Sequence, residues 1–157
     1  MTRLTAHDVL ERYWDFKLPV DPIGIARKMG IEVKTTSPFN GGGRESGHYS
    51  YRDGQPLITY NALDPAVRQR FTVAHEIGHH VHGDLDAPRD TSAQFSSGVR
   101  DPREVAANRF AAALLMPTAL LKHVVYEGRV TDLQALASMF GVSTAAMEYR
   151  LRNTGII

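Results

Sequence analysis

The stretch Phe71 to Asp84, FTVAHEIGHHVHGD, decides how this chain is read, because it contains His75-Glu76-Ile77-Gly78-His79, two imidazoles bracketing a carboxylate at the H-E-x-x-H spacing. On a helix, residues four apart lie only about 40° apart around the axis and one turn apart along it. Nitrogens of His75 and His79 can then reach one metal ion. Glu76 lies about 100° round from His75, too far to join them as a ligand but close enough to hold a water bound to that ion. The spacing separates two ligands from one base. From the His and Glu content of the 157 residues, chance would produce roughly 0.01 such pentads.

The flanks predict a helix. Asp64-Pro65 offers an N-cap and a proline at the first helical position, and Gly83 offers a stop. Val67, Phe71, Ala74, Ile77 or Gly78, and Val81 recur at helical spacing, which predicts a buried stripe and leaves His75 and His79 on a flank facing a cleft.

Outward from this helix the same start signal recurs. Asp21-Pro22 opens a helix through Ile23, Ile25, Ala26 and Met29 to Gly30, and Asp101-Pro102 opens the strongly apolar REVAANRFAAALLM, which stops at Pro117. Residues 5 to 16 predict a first helix with Thr5 as N-cap, Asp8 three positions on, and Trp14 and Phe16 among its apolar contacts, Trp14 in the core. Residues 31 to 35 alternate like a strand. Residues 47 to 52 and 56 to 61 flank Asp53-Gly54, a hairpin signal, and the three stretches together predict a small antiparallel sheet. Near the C-terminus, residues 131 to 139 and 143 to 151 flank Gly141 and resemble a helix-turn-helix. Two stretches lack periodicity: the glycine-rich Asn40 to Gly43, and residues 84 to 100, a long loop expected beside the site.

Composition narrows the function class. At 157 residues, with 43% apolar and 22% charged positions, the chain fits one domain, 1 to 157, with a real core. Its net charge of +1 is too mild to predict nucleic-acid binding from bulk electrostatics. With no cysteine, a metal site must be built from histidine and carboxylate. The N-terminus lacks an apolar core of the signal-peptide kind, and the longest apolar run, Phe110 to Met116, is far short of a membrane span. A soluble cytoplasmic protein is expected.

Zinc sites that do chemistry use three protein ligands and leave a fourth position to water. The metzincin extension would need a glycine at position 82 and a ligating histidine at position 85, where this chain has His82 and Leu85, so that class is excluded. Glu104, in the first turn of the next helix, is the expected third ligand, with Asp84, Asp86, Asp90 and His123 as alternatives. Asn108 lies one turn beyond Glu104 on the same face, where it either hydrogen-bonds a ligand or is a buried amide satisfied by backbone. His80 is expected to be solvated, and His82 to share the flank of the two ligands.

The set His75-Glu76-x-x-His79, Glu104-x-x-Ala107-Asn108-x-Phe110-Ala111 and Leu114-Leu115-Met116-Pro117 resembles the ImmA/IrrE family of metallopeptidases. The likeness extends upstream to Asp21-Pro22-x-x-Ile25-Ala26 and Arg68-x-x-Phe71-Thr72-x-Ala74, and so covers most of residues 20 to 151. It implies an α+β fold of the minimal zincin-like kind, a small antiparallel sheet packed on a helical bundle that carries the H-E-x-x-H helix. It also implies Zn2+ held by His75, His79 and Glu104, with Glu76 as base. Family members act on helix-turn-helix transcriptional repressors often encoded alongside them, and members with added sensor-like domains exist, though no such domain is expected in these 157 residues.

The expected function is therefore zinc-dependent hydrolysis of a peptide bond in such a repressor. Tyr49, Tyr51, Tyr126 and His123 are candidates to stabilise the oxyanion. The alternative is a toxin-like or regulatory zinc-binding module that acts by binding an antitoxin or repressor with little proteolysis. The sparse charge of residues 118 to 157 argues that the C-terminal pair serves the core and not DNA.

Overall fold

The computed structural model describes residues 3–40, 45–85 and 101–157. Most of the loop at 40 to 43, and residues 86–100 of the long loop, lie outside the described residues. The chain opens with α1 (Ala6–Tyr13), capped by the reciprocal pair of Thr5 and Asp8 that the sequence predicts. The helix stops three residues early. Asp15 accepts a hydrogen bond from the Lys17 backbone and turns the chain, so that Phe16 takes φ 62° and is 74% exposed instead of packing inside. Trp14 sits at the rim of the core, half-buried, because its indole N–H needs an acceptor and finds one in the Lys17 carbonyl at 3.0 Å.

Asp21 caps α2 (Pro22–Lys28), and Gly30 at φ 84° turns the chain into β1 (Glu32–Thr36). After a short 3-10 turn, Pro38–Asn40, come β2 (Gly47–Arg52) and β3 (Gln55–Asn61). Asp53 and Gly54 both have positive φ, the two-residue turn that suits the strand twist of a hairpin. The sheet order is β1-β3-β2, with β2 and β3 antiparallel but β1 and β3 parallel. The expected all-antiparallel sheet is thus a mixed one. The physical reason is geometric: β2 begins at the end where β1 finishes, one strand-width further out, and the tight turn folds β3 back into the gap.

Next comes α3 (Ala66–His82), which carries the pentad. Its start corrects the sequence reading. Pro65 and not Asp64 occupies the cap, no side chain caps the first turn, and Gln69 instead reaches back to the carbonyls of Ala62 and Asp64. Gly83 closes the helix in the left-handed conformation, as expected. The buried stripe is wider than periodicity predicts: Thr72 through His79 are all buried, since α3 is flanked by α2, by β2 and β3, and by the next helix. Val67, in the exposed first turn, lies outside it.

That next helix is α4 (Pro102–Leu115), with Asp101 as cap, and it packs against α3 on one side and α1 on the other. A short α5 (Thr118–Lys122) runs into a π-helical turn, His123–Glu127. The C-terminal pair is α6 (Leu133–Phe140), closed by Gly141 at φ 65°, and α7 (Thr144–Asn153), capped by Ser143. Leu136, Phe140, Met147 and Leu151 join the same hydrophobic core as Val73, Ile77 and Leu114. The fold is α+β, with seven α-helices and one three-stranded sheet among the described residues. None of these helices is long and apolar enough to cross a membrane.

Candidate metal centre

The site lies where α3 crosses α4. Gly78 makes the crossing possible: a Cβ there would sit 3.2 Å from Ala107 Cα and 3.3 Å from its carbonyl oxygen, contacts tighter than packed atoms normally make. One turn before Ala107, Glu104 reaches across to both imidazoles. Its two carboxylate oxygens lie 2.8 Å from His75 Nε2 and 2.9 Å from His79 Nε2, and the two Nε2 atoms are 3.1 Å apart. His75, His79 and Glu104 form a group whose donor atoms lie within 4.8 Å of one another.

The far side of each ring decides what the near side can do. His75 Nδ1 lies 2.7 Å from the Asn108 side-chain oxygen, and His79 Nδ1 lies 3.0 Å from Asp84 Oδ2. Both partners accept, so each Nδ1 can keep its proton in that hydrogen bond while Nε2 offers its lone pair to a cation. Two nitrogen lone pairs and a carboxylate then converge on one buried point. That donor set suits a cation of the zinc class, which favours imidazole and carboxylate.

Glu76 belongs to a different face of α3. Thr72 and Glu76 turn toward β2, where a Cβ on Gly47 would meet the Thr72 methyl and come within 3.6 Å of Glu76 Cγ. One turn on, His80 meets Tyr49 of the same strand, 2.7 Å between the hydroxyl and Nδ1. Strand β2 therefore runs along the helix beside Glu76. His80 is half-buried and paired, not solvated, and burial holds its pKa below the ordinary imidazole value. Burial, then the neighbouring Tyr51, pushes the Tyr49 hydroxyl up to about 12.

The other candidates fall outside this cluster. Tyr49 is only 2% exposed with its hydroxyl on His80, Tyr51 and Tyr126 are solvent-facing, and His123 is exposed on the π-helical turn. His82 packs edge-on against Phe110, and burial lowers its pKa. Asp84 lies behind His79 and outside the donor group, while Asp86 and Asp90 lie outside the described residues.

A family profile matches this arrangement: Peptidase_M78, the IrrE N-terminal-like domain, covers residues 26–152. The chain belongs to that family. Its membership makes the fold that of a peptidase, with a three-residue group that could hold a metal ion. No curated protein matches it significantly. Among solved structures, it is similar to a Mycobacterium tuberculosis transcriptional regulator, with a TM-score of 0.65 and 20% identity. That likeness shows the fold alone; it covers 93% of this chain, which spans 44% of the regulator's length.

Proposed function

We propose that this IrrE N-terminal-like domain is a zinc endopeptidase whose substrate is a helix-turn-helix repressor. The observation that carries the reading is the convergence of His75 Nε2, His79 Nε2 and the Glu104 carboxylate, with both Nδ1 atoms tied to acceptors. Zinc held there would lower the pKa of a water toward about 7 and polarise the scissile carbonyl. Glu76 sits one residue from His75 on the same buried segment, and takes the role of proton acceptor from that water and donor to the leaving amine. Its side chain is buried beside Thr72 and Gly47 of β2.

Substrate alignment falls to β2, the outer strand of the hairpin, which passes beside Glu76 and offers a backbone edge to an extended peptide. The repressor class rests on the family resemblance and is consistent with the similar solved structure being that of a transcriptional regulator. The C-terminal pair offers little to DNA: Arg150 donates to the Met116 carbonyl at 3.1 Å and to the Thr118 hydroxyl at 3.0 Å, so it is spent inside the molecule.

The test is to incubate the purified protein with helix-turn-helix repressors, including any encoded beside it, and follow cleavage. Glu76→Gln should retain metal and fold while losing at least about a hundredfold in rate, since the amide cannot accept a proton. Glu104→Ala should lose metal affinity itself. Equal zinc content in both variants would remove Glu104 from the ligand set, and cleavage unchanged in Glu76→Gln would overturn the peptidase reading.

A further inference from the structure

Helix α3 ends in a cap that returns to one of its own histidines. Gly83, at φ 73° and ψ 28°, lets its N–H bond the His80 carbonyl, and the next N–H, that of Asp84, bonds the His79 carbonyl at 3.0 Å. This pair of reversed bonds places Asp84 directly beneath the residue it follows by five positions. Its carboxylate, only 12% exposed, then approaches His79 Nδ1 at 3.0 Å. Asp84 therefore grips His79 twice, at the backbone and at the ring.

The two imidazoles are backed unequally. His75 leans on the neutral amide of Asn108, whereas His79 leans on a carboxylate. An anion behind a ring raises the basicity of the opposite nitrogen more than an amide does, and it also fixes the tautomer. The Glu104 carboxylate faces that opposite nitrogen at 2.9 Å, so the ring stands between two acidic side chains with only one orientation that satisfies both.

We propose that Asp84 is a positioning residue that sets the metal affinity of the site, delivered to His79 by the left-handed cap at Gly83. The inference rests on the zinc reading above, and it names a residue that sequence spacing ranks only as a minor candidate ligand. Asp84 lies outside the donor group and acts through the His79 ring.

The experiment is a zinc competition titration of the full chain against a chromophoric chelator, with Asp84→Ala, Asp84→Asn, Asn108→Ala and His79→Ala alongside. Asp84→Ala should weaken zinc by about 10- to 100-fold, the range for partners of ligating histidines. Asp84→Asn, which keeps an acceptor but not the charge, should fall between it and the parent. Proton NMR of the zinc-loaded protein should show a downfield, slowly exchanging His79 Nδ1–H in the parent that moves upfield or exchanges away in Asp84→Ala while the His75 Nδ1–H stays in place, a selective change that lost packing alone would not cause. Unchanged zinc affinity in Asp84→Ala, with zinc lost in His79→Ala, would overturn the role of Asp84 and leave the metal site standing. Zinc retained in His79→Ala would overturn the metal site itself, and this inference with it.

Discussion

Glycine 78 shows how much one side chain's absence does. It was legible as part of a helical stripe, yet its function is to bring α4 close enough for Glu104 to meet both imidazoles. Gly78→Ala adds a methyl that must push on the Ala107 backbone, not on a movable side chain. We expect a loss of about 1–3 kcal/mol in urea unfolding, the usual range for an overfilled contact, together with weaker zinc binding. Stability lost with zinc affinity unchanged would mean that the crossing tolerates the shift. Tyr49 supplies a pH signature at the same scale. Its folded-state pKa is raised from about 10 to about 12 by burial first and by Tyr51 next. A raised pKa favours the folded protein below the unfolded value, and that contribution is lost as pH climbs from about 10 through about 12. Ultraviolet titration should therefore show one phenol ionising late, and Tyr49→Phe should remove that late step.

The elements divide by whether their signals are local. Caps at Thr5, Asp21 and Asp101, and stops at Gly83 and Gly141, stand where the sequence predicts, because each is settled within one turn of chain. Ser143→Ala should cost about 1 kcal/mol and lower the Tm by about 2–4 °C, whereas the exposed Ser138→Ala should leave it nearly unchanged. Asp64 does not cap α3 because Pro65 takes the cap position and no side chain bonds the N–H groups of the first turn; Gln69, four residues beyond Pro65, ties down the Ala62 and Asp64 carbonyls at that corner. The short α5 and the π-helical turn carry too few residues for a periodic pattern to show.

At the scale of the whole molecule, Arg70 ties distant parts together. Its guanidinium donates to the Val20 carbonyl, before α2, and to the Gly141 carbonyl, between α6 and α7, at 3.0 Å for the latter. Arg70→Met should leave both carbonyls without this donor and cost about 2 kcal/mol in urea unfolding, within the range for hydrogen bonds from a charged group. The sequence by itself determined the helix carrying His75, Glu76 and His79, its stop at Gly83, the Asp53-Gly54 hairpin and the ends of most helices. All of these follow from contacts within a few residues. Only the tertiary structure decided that β1 lies parallel to β3, that Glu104 bridges both rings, that Asn108 and Asp84 hold their far nitrogens, and that Tyr49 is engaged by His80. Most of these pairings join residues 25 or more apart. Which of many compatible partners meets them is settled by packing α3 between a sheet and α4, and spacing along the chain carries no record of that choice. Asp84 is the exception in distance, five residues from His79: a backbone turn and not a periodicity aims its side chain, so the positive φ of Gly83 had to be seen before its role could be.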